Sequence, residues 1–108
     1  MKFFFLLLAG LLFLSGCRKQ AELSECIQSK IESFSNHSCQ YGAEVKEYIF
    51  QGQTAYVFQM GYCGADLTAE VVDRNCNYLG DLGGIIGNTK INGEDFSTAI
   101  YVRTIWQR

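Results

Sequence analysis

The pattern of this chain is that of an α+β domain: one N-terminal helix packed on an antiparallel sheet of four to five strands, stapled by disulfides. Three features carry that reading. Leu23 to Phe34 places apolar residues at helical spacing. Several later stretches are dense in β-branched and aromatic residues, and Gly, Asn and Asp separate them. Four cysteines remain for pairing once Cys17 is set aside.

Cys17 is set aside because of what precedes it. Lys2 supplies a positive n-region, and Phe3 to Leu14 form an apolar h-region broken only by Gly10. Leu14-Ser15-Gly16-Cys17 closes the run with small residues before a cut, the layout of a secretory signal peptide. With a cysteine directly after the cut, Leu-Ser-Gly-Cys resembles the lipobox of bacterial lipoproteins. That resemblance implies a diacylglyceryl group and a third acyl chain on Cys17. An uncleaved membrane helix fits less well, because the apolar run from Phe3 to Gly16 holds 14 residues, against roughly 20 needed to span a bilayer. Two or more acyl chains anchor a protein firmly, at ~0.8 kcal/mol per buried methylene. The expected organisation is a signal peptide over 1–16, a lipidated tether over 17–22 and one small domain over 23–108. Arg18, not Asp, follows the lipidated cysteine. By resemblance to sorted lipoproteins of enteric-type bacteria, this implies an outer-membrane anchor facing the periplasm.

Losing Lys2 with the leader moves the formal charge from −2 to −3. No Lys/Arg run or basic patch stands out, which argues against nucleic acid as a partner. The length supports one modest core and no second domain. Cys26, Cys39, Cys63 and Cys76 are expected to form disulfides, as an even number in a short exported chain implies. Spacing alone leaves three connectivities open. The local solution is Cys26–Cys39 with Cys63–Cys76, each pair 13 positions apart. A zinc site lacks a C-x-x-C pair and has only His37 to offer.

In chain order, Leu23, Ile27, Ile31 and Phe34 form one apolar helical stripe, with Cys26 beside it. Glu22 and Glu25 favour the positive helix start, and Ser35-Asn36-His37-Ser38 is expected to end the helix. Glu44 to Gln51 and Thr54 to Gly61 read as a hairpin around Gln51-Gly52-Gln53. Apolar residues on both of its faces place it in the middle of the sheet. Leu67 to Val72 reads as a third strand, and Thr98 to Gln107 as the last. Asp95-Phe96 could open a helical turn before that strand, and Trp106 argues for a docked C-terminal end.

Between these lie two segments that invite chemistry. Asp73, Asn75 and Asn77 match positions 1, 3 and 5 of a calcium loop, but Tyr78 and Gly84 stand where that loop needs Gly and Glu. A hairpin turn explains the same residues, because Asp and Asn bond their own backbone. Asp81 to Glu94 is rich in glycine and reads as a long loop, with Asp81, Gly83, Gly84, Gly87 and Asn88 as the candidate binding loop. It lacks the Lys-Ser/Thr of a P-loop, and too little chain follows for the helix of a dinucleotide site. A loop of this length in a small domain is functional or tightly folded.

Together several motifs resemble a family of small lipoproteins from bacteria of the Bacteroidota type. They are Cys26-Ile27 at the helix start, Glu47-Tyr-Ile-Phe-Gln-Gly52, Cys63-Gly-Ala-Asp66, Asp73-x-Asn-x-Asn77, Gly83-Gly84-Ile85, Ile91-Asn92-Gly93 and the terminal Thr-Ile-Trp. The resemblance covers about residues 22–108 and implies location and fold, with no established activity. Some related chains have a second cysteine beside the one matching Cys63 and none matching Cys39, which implies that Cys26 reaches Cys63 or Cys76.

No enzyme is expected. His37 sits in a polar helix exit, and nothing marks Asp66, Asp73 and Asp81 as a catalytic pair. No cofactor and no metal centre is expected. The function read from the sequence is that of a lipid-anchored binding or accessory module for another envelope protein, with the membrane reached through Cys17. The alternative is a small-molecule or calcium binder using the 73–95 region, with Tyr62 and Tyr78 as aromatic walls.

Overall fold

The computed structural model describes residues 22–108. The signal peptide, Cys17 and all of the tether before Glu22 lie outside the described residues. Helix α1 spans Glu25–His37 and is the first described element. Strands β1 (Glu44–Phe50), β2 (Gln53–Gln59), β3 (Thr68–Asp73) and β4 (Tyr78–Gly83) follow as a meander. Two short strands, β5 (Lys90–Ile91) and β6 (Glu94–Asp95), a 3-10 turn (Phe96–Thr98) and β7 (Ile100–Gln107) complete the chain. The main sheet is antiparallel with order β4-β3-β2-β1-β7, and β5 and β6 make a separate ribbon. The fold is α+β, with one helix on five strands and two disulfides.

Ser24 caps α1, its hydroxyl accepting from the Ile27 N–H. The helix runs three residues past the expected end. Ser35 spends its hydroxyl on the Glu32 carbonyl inside the helix, and the Arg108 guanidinium donates to the otherwise open Ser35 carbonyl at 2.8 Å. Ile27 and Phe34 face down onto Val45, Tyr56, Phe58 and Val72. The Phe34 ring meets Phe58 and Trp106 edge-on, with centroids 5.3 and 5.7 Å apart. Trp106 is thus docked, as its position suggested, and backbone bonds between Arg108 and residues 42–43 fasten the strand end.

The opposite face of the sheet carries a second core of Phe50, Ala55, Val57 and Val71, roofed by Ile91 and flanked by Phe96. This corrects the expectation of one long loop over 81–94. Asp81 and Gly83 end β4, and the chain then returns as the β5–β6 ribbon, burying Ile91 to 1% exposure. Asn92 and Gly93, both at positive φ (49° and 78°), turn that ribbon in two residues. Two-residue strands carry too little alternation to be seen through the surrounding glycines. Gln51 and Gly52 make the same kind of turn in the β1–β2 hairpin. Between β1 and β7 the register shifts twice, after Val45 and after Glu47, leaving Ile105 and Val102 of β7 as extra residues.

The local disulfide pairing is also corrected. The bridges are Cys26–Cys76 and Cys39–Cys63, with Cα atoms 6.1 and 5.4 Å apart. Cys26 lies in the first turn of α1 and Cys39 two residues past its end, roughly 20 Å apart at about 1.5 Å per residue, so they cannot meet. Cys63 and Cys76 lie beyond opposite ends of β3 and are kept apart in the same way. Each bridge instead joins two segments at one end of the sheet. The first encloses a longer stretch, 50 positions against 24. Replacing both of its cysteines by Ser is expected to cost about 4 kcal/mol, against about 3.5 for the second bridge, by loop-closure entropy. Denaturant titration of the two double variants measures the order.

Candidate functional site

The sheet has two ends, and the disulfides mark them. At the near end the helix starts: Ser24 donates to the Arg74 carbonyl at 2.8 Å, Cys26 bridges to Cys76, and the 51–52 and 74–76 turns lie side by side. At the far end lie the helix exit, the 60–67 loop, the end of β4 and Arg108. Cys39 N–H donates to the Met60 carbonyl, Tyr62 N–H to the Tyr41 carbonyl, and Cys39 bridges to Cys63.

The predicted binding loop divides on this frame. Asp81 sits within β4, and its carboxylate accepts from the Tyr78 hydroxyl, which raises the phenol pKa. Gly83 and Asn88 exchange two backbone hydrogen bonds at 2.8 and 3.1 Å, closing a hairpin tip. The Asn88 amide donates to the Asp81 and Lys90 carbonyls, so its role is to brace the tip. Gly87 N–H bonds the Gly84 carbonyl across the turn. Gly84 lies at φ 78°, and a Cβ there would stand 2.9 Å from the Thr68 methyl, so glycine is required by both conformation and space.

What these glycines present is Ile85 and Ile86, which are 86% and 94% exposed. Neither is among the candidate loop residues, Asp81, Gly83, Gly84, Gly87 and Asn88, which are the ones that hold the pair in place. A β-branched pair enclosed by glycines was the available signal, since so short a turn gives neither side chain a neighbour to pack on. Tyr41, Tyr62 and Leu67 are also exposed at the far end. Segments 38–43, 60–68 and 83–89 together hold one charged residue, Asp66. Beside the tip, on the second face of the sheet, an open groove of about 320 Å³ is lined by Tyr48, Val57, Leu67, Leu82 and Phe96.

The remaining candidates are dispersed. His37 meets Phe34 edge-on at the helix exit. Asp66 and Asp73 stand beyond and at opposite ends of a six-residue strand, roughly 20 Å apart at the usual rise, so they do not form a pair. Glu70 lies directly across the ladder from Asp81. That like-charge opposition is relieved by Lys30, which ion-pairs with Glu70 from the helix. Among the described residues, no three His, Cys, Asp or Glu side chains gather as a metal cage.

Asp73 is occupied by its own turn. One carboxylate oxygen accepts from the Asn75 and Asn77 N–H groups at 2.8 and 2.9 Å, and the other from the Asn77 amide at 2.9 Å. Cys76 takes the left-handed position, φ 63°, that a three-residue hairpin loop requires before its second strand. The hairpin turn read from the sequence is therefore the arrangement found.

Residues 32–108 match DUF6970, a domain of unknown function. The chain belongs to this family. The DUF6970 match begins inside α1 and takes in the whole sheet, the Cys39–Cys63 bridge, Cys76 of the other bridge and the far-end tip. No curated protein and no solved structure matches the chain.

Burial alone would raise the Asp73 carboxyl, but the hydrogen bonds from Asn77 and Asn75 outweigh it and hold the pKa below the usual 3.8. A depressed folded-state value gives stability above the unfolded value that is lost as pH falls through the folded one. Asp73→Ala is expected to cost about 1 kcal/mol at neutral pH, modest because the group is largely solvated. The gap from the parent chain should close on acidification to about pH 2, followed by thermal melts.

Proposed function

We propose that this DUF6970 chain is a lipid-anchored envelope protein that works by binding another envelope protein rather than by catalysis. The observation that carries the reading is the exposure of Ile85 and Ile86 on a braced hairpin tip. Apolar side chains held out in solvent by a network of backbone bonds serve no packing purpose in the domain, and such patches mark contact sites. Both faces of the sheet are already spent on cores, one under the helix and one under the β5–β6 ribbon. The calcium alternative draws no support from the 73–77 turn, where both oxygens of Asp73 already accept internal donors.

The anchor rests on Leu14-Ser15-Gly16-Cys17, the signal-peptide layout before it, and the firm hold of multiple acyl chains. Among the described residues no helix is long and apolar enough to cross a membrane. The start of the domain lies at the near end, where the 17–22 tether joins it. Arg18 after the cysteine supports delivery to the outer membrane, facing the periplasm.

Cys17→Ser is expected to leave the precursor unlipidated and to move the protein out of the membrane fraction. Fractionation with immunodetection tests this. An unchanged membrane-bound share would count against the lipid anchor.

A further inference from the structure

We infer that Ile85 and Ile86 form a preorganised wedge that enters an uncharged apolar cleft of a partner protein standing off from the membrane, an inference that rests on the binding-module reading above. The tip is rigid before any partner arrives. The paired Gly83–Asn88 bonds, the Gly84–Gly87 turn bond and the two Asn88 side-chain bonds fix it. Binding therefore costs little ordering at the point of contact, which is how preorganised loops gain affinity. At the same end of the sheet, Tyr41, Tyr62 and Leu67 add exposed aromatic and apolar surface, and segments 38–43, 60–68 and 83–89 hold one charge, Asp66, with Arg108 turned to the helix exit. A charge-depleted centre bearing aromatic residues is the composition of a protein–protein contact core.

Position selects the occupant. The tether joins at the near end, beside the 74–76 turn, and β4 carries the chain from that turn to the tip. Six strand residues place the wedge roughly 20 Å away, at the opposite end of the sheet, so it points away from the anchor. A lipid surface is a poorer fit on charge as well. Residues 83–89 hold no Lys or Arg, the residues with which interfacial segments engage anionic headgroups. A second copy would bring the same convex tip to an isologous contact, and two wedges do not fill one another.

The test is site-specific photocrosslinking with the full-length chain in the bacterium that makes it. Benzoylphenylalanine replaces Tyr62, exposed at the same end of the sheet as the wedge, and Tyr78 nearer the tether as comparison. The expected result is a discrete protein adduct from position 62. It should fall about tenfold or more with Ile85→Ser and Ile86→Ser together and persist with Ile86→Leu. Both changes should leave the melting midpoint unmoved, because neither residue is packed. A position-62 adduct to lipid, an adduct of twice the chain's own mass, or a protein adduct indifferent to the serine changes would each overturn the wedge. A protein adduct from position 78 alone would also overturn it while leaving the binding module standing. Adducts from neither position would remove both.

Discussion

One mismatch governs this structure: the central strands are apolar on both faces, and the described residues hold one α-helix to cover them. β1 and β2 send Val45, Tyr56 and Phe58 to the helix side and Phe50, Ala55 and Val57 to the other. Leaving the second set in water would forfeit roughly 1.5–3 kcal/mol for each large side chain. The chain after β4 therefore folds back over that face, and Ile91 and Phe96 complete what the helix cannot reach. The far-end tip follows from the same requirement, since β4 must reverse direction before the ribbon can return.

The disulfides act on the ends of this sandwich rather than on its middle. Cys26–Cys76 ties the helix start to the β3–β4 turn, and Cys39–Cys63 ties the helix exit to the loop after β2. One staple at each end fixes the helix axis against the sheet. It also separates the molecule into an end where the described chain begins and an end that carries Ile85, Ile86, Tyr41 and Tyr62.

Much of the fold was legible in the residues. The stripe Leu23, Ile27, Ile31 and Phe34 gave the helix, and the Gln51-Gly52 turn gave the central hairpin, because long periodic runs around a two-residue turn leave few alternatives. The second core was not legible. Its roof is a pair of two-residue strands, and Ile91 looks like one apolar residue among glycines until the sheet face beneath it is known. The disulfide pairing was legible in principle. With Cys26 in the first turn of α1 and Cys39 just past its last, the helix length alone rules out their union, a geometric test that counting separations along the sequence does not apply. At the site, sequence pointed to Gly83, Gly84, Gly87 and Asn88, which turn out to be the mounting, while the mounted pair, Ile85 and Ile86, left only the weak signal of β-branched residues between glycines and stands out by its exposure.

The two register shifts between β1 and β7 carry a further consequence. Among the described residues β7 is the end strand of the sheet, next to β1. Proteins crowded in two dimensions on a membrane meet their own kind far more often than in solution, and a flat edge would invite sheets to zip together into open-ended fibres. The extra residues at Val102 and Ile105 coil that edge and break its even spacing of donors and acceptors. Under the proposed lipid anchor, the same irregularity would oppose edge-to-edge pairing of densely packed copies.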